Sequence, residues 1–112
     1  MVRVEVLIKP FRLTDMHQAL MAVGVRGMTV TEMLCFGSRK GHVELYRGEE
    51  YRVDFIPKLM LMIVINEAQL ADVMNIIQKV ARTGKIGDTT IFVSSVDDVM
   101  RIRTGETGKK AL

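Results

Sequence analysis

The run Leu59-Met-Leu-Met-Ile-Val-Ile65 restricts the fold more than any other stretch of the chain. Its aliphatic and β-branched side chains suit a strand, yet no polar residue falls where a strand with one wet face would alternate. Both faces of this strand must therefore be covered. It is far too short to span a bilayer. Only two segments of the chain have helical spacing, and two helices can shield one face of a sheet. The simplest cover for the other face is a further copy of the chain, associated through the sheet.

The remaining elements follow from periodicity. Val2, Val4, Val6 and Ile8 alternate over residues 2–9, the period-two mark of a half-buried strand, and Pro10 stops it. Leu13, Met16, Ala19, Leu20 and Val23 fall on one helical stripe, which Gly24 ends. Residues 28–36 are rich in apolar and β-branched types and predict a second strand. Asn66, with Gln69 three positions on, fits a variant capping box. The helix it opens has Leu70, Val73, Met74, Ile76, Ile77, Val80 and Ala81 on its apolar face and Gly84 at its end. A fourth strand is predicted over 91–96, an extended continuation over 100–104 and a flexible tail over about 105–112. The order β-α-β-β-α-β is that of an α+β, ferredoxin-like fold with an antiparallel sheet and both helices on one side. At 112 residues the chain makes one domain, 1–112.

Between the second and third strands, residues 28–36 and 59–65, lie 22 residues, long for a connection in a compact domain unless it is a lid, a binding loop or a disordered segment. Arg39, Lys40, Glu44, Arg47, Glu49, Glu50, Arg52 and Asp54 make it strongly charged. Loops of this kind on a rigid scaffold tend to carry function. Tyr51 near its tip, flanked by Glu50 and Arg52, is a candidate modification or contact site. The net charge of +3 suits an anionic partner without saying which. The single cysteine, Cys35, excludes an internal disulfide, and its apolar strand predicts a buried, inert thiol. The opening residues read directly as a strand and not as a signal peptide, so a cytoplasmic location is expected.

Candidate chemistry is sparse. Thr83-Gly-Lys-Ile-Gly-Asp88 can aim backbone N–H groups at an anion as nests do, although a helix C-terminus is the wrong dipole end and a plain turn fits equally. Arg101 and Arg103, on one face of an extended tail, can clamp phosphates or stay solvated. His17 and His42 lack cysteine partners and predict no metal site. No Ser, His and acid grouping suggests catalysis, so the chain is not expected to be an enzyme.

These stretches together resemble the PII signal-transduction family. Ile8-Lys-Pro-Phe11, Gly27-Met-Thr-Val-Thr-Glu32, Lys40-Gly-His42, Glu44-Leu-Tyr-Arg-Gly48, Thr83-Gly-Lys-Ile-Gly-Asp88 and Arg101-Ile-Arg-Thr-Gly-Glu106 match in order along the whole chain. The resemblance implies a homotrimer with sheets lining its centre and ATP or ADP in each cleft between subunits. The long loop, about 37–55, corresponds to the family's T-loop, which engages targets such as ammonium channels, nitrogen-control enzymes and transcriptional regulators. It further implies that Gly37, Ser38, Gly87, Asp88, Thr89 and Thr90 line the nucleotide cleft with Val64 beside the base. Thr29, Arg101 and Arg103 would come from a neighbouring subunit. Lys58 would face 2-oxoglutarate, approached by Arg39, Lys40 and Gly41, and Tyr51 stands where many bacterial members are uridylylated. Neither nucleic-acid binding nor membrane insertion is implied.

The departures fall in that cleft. Ser38 and Arg39 stand where the family has Arg-Gln, and a guanidinium cannot ligate the Mg²⁺ that joins 2-oxoglutarate to ATP. Thr89 and Thr90 stand where it has Gly-Lys, so a lysine for the terminal phosphate is missing. A divergent paralogue that prefers ADP or another small ligand is the alternative reading. RNA-recognition modules share the strand order, but two Tyr, four Phe and no Trp leave no aromatic-rich motif on the relevant strands. An acylphosphatase-like enzyme would need a catalytic asparagine, and neither Asn66 nor Asn75 has a suggestive setting.

Overall fold

The computed structural model describes residues 1–36, 42–46, 49–53, 55–85 and 88–112, with the backbone alone for 42–46 and 49–53. Strand β1 is Val2–Ile8, followed by a 3-10 turn at Pro10–Arg12 and helix α1, Leu13–Ala22. Strand β2 is Thr29–Cys35, β3 His42–Tyr46, β4 Glu49–Val53 and β5 Ile56–Ile65. Helix α2, Leu70–Ala81, and strand β6, Ile91–Ser95, complete the order. The main sheet runs β2-β5-β1-β6, every pair antiparallel. This is the expected α+β arrangement of four sheet strands and two helices.

Alternation decides which side of the sheet the helices cover. Val2, Val4, Val6 and Ile8 of β1 and Leu59, Leu61, Ile63 and Ile65 of β5 are buried against Met16 and Leu20 of α1 and Val73 and Ile77 of α2. Each helix thus contributes an i, i+4 pair from one stripe. Leu70, Ile76, Val80 and Ala81 pack around this core, but Met74, placed on the apolar face by its spacing, turns outward. Only half of the expected capping box forms: Asn66 N–H donates to Gln69 Oε1 at 3.1 Å. Gln69 N–H donates instead to the Asn66 main-chain carbonyl at 3.0 Å, the bond of a 3-10 turn at Glu67–Gln69 that leads into α2, and Asn66 Oδ1 has no partner among the described residues. Gly24, at φ +90°, lets the chain leave α1 through the left-handed region.

The intervening positions of β5 form the opposite face. Met60 lies beside Leu7 and Thr31, Met62 beside Glu5 and Thr29, and Val64 beside Arg3. Phe92 of β6 pairs with Glu5 on the same face and is 58% exposed. No described element covers this face, although β5 is apolar on both sides. Strand β2 lies at the edge, beyond the reach of the helices, so Val30, Met33 and Leu34 are exposed and Cys35 is half-buried, not buried as its apolar strand suggests.

β5 begins three residues earlier than its apolar run, and it includes Pro57. Proline is tolerated there because β1 joins only at Leu59, so Pro57 has a ladder on one side alone. The long connection carries an antiparallel ladder of its own, β3 with β4, in which Glu44 faces Tyr51. At its roots the rings of Phe36 and Phe55 meet at 6.1 Å with a 52° tilt, an edge-type contact worth about 0.5–1.5 kcal/mol.

The expected extended run over 100–104 is not found. Arg101 N–H donates to Glu106 O at 2.9 Å, Gly105 N–H to Arg101 O at 2.8 Å, and Met100 bridges Thr107. The chain therefore turns back, then forms a 3-10 turn at Gly108–Ala111. Gly105 and Gly108, at φ +72° and +66°, make that reversal possible.

Candidate functional site

The predicted site residues that line a cavity fall at two ends of β5. At its beginning, a cavity of about 280 Å³ is bounded by Leu7, Lys9, Lys58, Arg82, Asp88 and Thr89, over a floor that includes Val6, Ile77 and Ile91. Three cationic side chains and one carboxylate thus surround an apolar base. Among these Lys58, Asp88 and Thr89 are expected from the sequence. Lys9 and Arg82 are not, because only the topology brings the end of β1 and the end of α2 to the start of β5.

Asp88 organises the turn after α2. Its Oδ2 accepts the N–H groups of Thr83 and Gly84, each at 2.9 Å, and its Oδ1 accepts the Thr83 hydroxyl. These bonds, with the Thr83 side chain foremost, hold the carboxyl below its ordinary value of 3.8, and desolvation only partly opposes them. The carboxylate serves the turn itself, tying Asp88 to Thr83 and Gly84. The Thr89 hydroxyl donates to the main-chain oxygen of Leu7, one residue past the last β1–β6 pair, Val6 with Ile91. Where a glycine would leave that oxygen to water, threonine pins the turn to the sheet. Thr90 is exposed.

At the other end of β5, a cavity of about 470 Å³ is lined by Thr29, Met62, Val64, Asn66, Lys109 and Leu112, among others. Val64 thus shares a cavity with Thr29, not with Asp88. Arg101 Nη2 donates to the Leu112 main-chain oxygen at 3.2 Å, while Arg103 is exposed within the turn over 102–104. The two arginines consequently do not share one face of an extended tail. Gly37, Ser38, Arg39, Lys40, Gly41 and Gly87 lie outside the described residues, as does the side chain of Tyr51.

Lys58 and Val64 are six residues apart on one strand, about 20 Å at the usual rise. A rigid sheet holds the two groups at that separation, so hydrogen-bond contacts from both cannot converge on one point within a single copy. Among the described residues no cluster of His, Cys, Asp and Glu could hold a metal ion, and no helix is long and apolar enough to cross a membrane.

Four antiparallel strands, two helices on one face and a long paired arm between β2 and β5 define a ferredoxin-like α+β domain with ligand-sized cavities at both ends of its central run. The family model for nitrogen regulatory protein P-II matches residues 1–106. The nitrogen regulatory protein GlnK of Escherichia coli K12 is 52% identical over 109 residues, 97% of each chain. The nitrogen regulatory protein P-II of Rhizobium meliloti is 51% identical over 112 residues, all of both chains. A crystal structure of Arabidopsis thaliana PII bound to citrate superposes with a TM-score of 0.81 at 38% identity, covering 99% of this chain and 91% of that one. The chain belongs to the P-II family of nitrogen regulatory proteins.

Proposed function

We propose that the protein is a homotrimeric regulator that binds ATP or ADP in the clefts between its subunits and acts on target proteins through the T-loop, residues of about 37–55. Its role is signalling, with no reaction of its own. The observation that carries this reading is that Thr29 and Val64 lie at one end of β5 while Asp88 and Thr89 lie at the other. One copy offers Thr29, Val64, Arg101 and Arg103, and the adjacent copy offers Gly37, Ser38, Gly87, Asp88, Thr89 and Thr90. A cleft between copies satisfies both sets, and the open apolar face of β5 supplies a reason for the copies to associate. Targets of the kind the family regulates, an ammonium channel, nitrogen-control enzymes or transcriptional regulators, would be met by the T-loop, with Tyr51 as its site of uridylylation.

Lys58, with Lys40 and Gly41, offers positive charge and backbone to a dicarboxylate such as 2-oxoglutarate. Arg39 cannot act as a Mg²⁺ ligand, so metal and 2-oxoglutarate add little to ATP binding in this reading. A second reading, a preference for ADP or another small anion, is favoured by the use of the Thr89 hydroxyl within the fold and by the missing lysine at position 90. Calorimetric titration of the trimer with ATP, ADP and AMP, each with and without Mg²⁺ and 2-oxoglutarate, and with citrate alone, tests both. ATP or ADP bound at one site per subunit is the expected result. Absence of any adenine-nucleotide binding overturns the reading, and ATP binding strongly enhanced by 2-oxoglutarate and Mg²⁺ overturns the second.

A further inference from the structure

Two observations meet at the segment 108–112, to which the sequence assigns no role. Lys109 and Leu112 complete the wall of the cavity that holds Thr29 and Val64. The Leu112 main-chain oxygen also accepts the 3.2 Å hydrogen bond from Arg101. The segment reaches this place by a fixed route, since Gly108 N–H donates to both Val99 O and Asp98 Oδ1 at 3.1 Å. Leu112 N–H then donates to Lys109 O at 3.3 Å, which closes the 3-10 turn over the cavity.

We infer that residues 108–112 belong to the ligand site, with Leu112 as an apolar wall for a flat base and as the bracket that positions Arg101; this rests on the adenine-nucleotide reading above. A base entering between Leu112 and Val64 exchanges water for aliphatic contact on its faces. The bracket acts on the phosphate end. A guanidinium has five N–H donors in a fixed fork. One of them spent on Leu112 holds the plane in place while others remain for phosphate oxygens, so less side-chain freedom is lost when the ligand arrives. Lys109, exposed at the mouth of the cavity, adds positive charge on the approach.

The wall and the bracket make separable predictions. Leu112→Ala keeps the main-chain oxygen and removes the wall, so it weakens ATP and adenosine by one common factor, roughly three- to tenfold for loss of part of an apolar pocket. Deleting residues 109–112 removes both, so ATP loses more than adenosine, roughly tenfold or more beyond the common factor. All three proteins are titrated calorimetrically at matched trimer mass, with the wild type first. If the wild type binds no adenine nucleotide, the reading beneath this inference fails. If the wild type binds and both variants match or exceed its affinity, the reading stands and the inference alone is overturned.

Discussion

Asp88 binds its own turn so fully that its charge becomes a structural component of residues 83–88. A group whose folded pKa is depressed contributes above its unfolded value and loses that contribution as pH falls through the folded one. The Thr83 and Gly84 amides should therefore keep constant NMR shifts from neutral pH down to about 4 and move only below it. Movement centred above pH 5 would contradict these hydrogen bonds. Thr90 makes the opposite kind of statement. It is exposed, so on the adenine-nucleotide reading Thr90→Lys should tighten ATP by about 1–3 kcal/mol, the range for a hydrogen bond to a charged group, while AMP, which lacks the terminal phosphate, changes little. Competition calorimetry measures that difference. Neither role of Asp88 or Thr89 is legible in the sequence, because an acceptor's partners depend on which turn brings Thr83 and Leu7 within reach.

Elements were more legible than contacts, and for a physical reason. Period-two and helical spacing record which face of an element is dry, so β1, α1 and α2 follow directly from their patterns. Gly24, at φ +90°, marks a boundary that other residues reach only with strain. The reversal over 101–107 left no such pattern, since hydrogen bonds between main-chain groups, as from Arg101 to Glu106, carry no side-chain signature. The buried partners of the elements set their energetics. Leu61 is 2% exposed in the centre of β5, so Leu61→Ala should cost about 2–5 kcal/mol in chemical denaturation, by lost burial and an unfilled cavity. A cost under 1 kcal/mol would mean that the helices do not close on this strand.

At the scale of the whole molecule, the unbroken apolar run of β5 foretold the need for cover on both faces, and the structure leaves one of them open. Met62→Glu puts a charge beside Glu5 on that face without touching the helix-side core. If the copies associate through this face as proposed, it converts the trimer to monomers in light scattering, while circular dichroism keeps its helix and strand signal. A trimer that survives this substitution at low micromolar concentration would place the contact between copies elsewhere. The division of the site between copies is implied by the family resemblance, which draws Thr29, Arg101 and Arg103 from a neighbouring subunit. What no residue pattern gives is the distance between Lys58 and Val64 on one copy. The relevant residues cluster by motif along the chain, but the ends of β5 keep them about 20 Å apart. The strand order carries a further consequence, for the timing of folding. β1 is the first strand made and lies between β5 and β6, so Val2–Ile8 has no partner until Ile56–Ile65 exists and no second partner until Ile91–Ser95 follows. Contacts of such long sequence separation must close large loops before they are rewarded, which slows folding relative to a helical bundle of equal size. During synthesis the residues of β1 wait, unpaired and apolar, until those of β5 and β6 have been made.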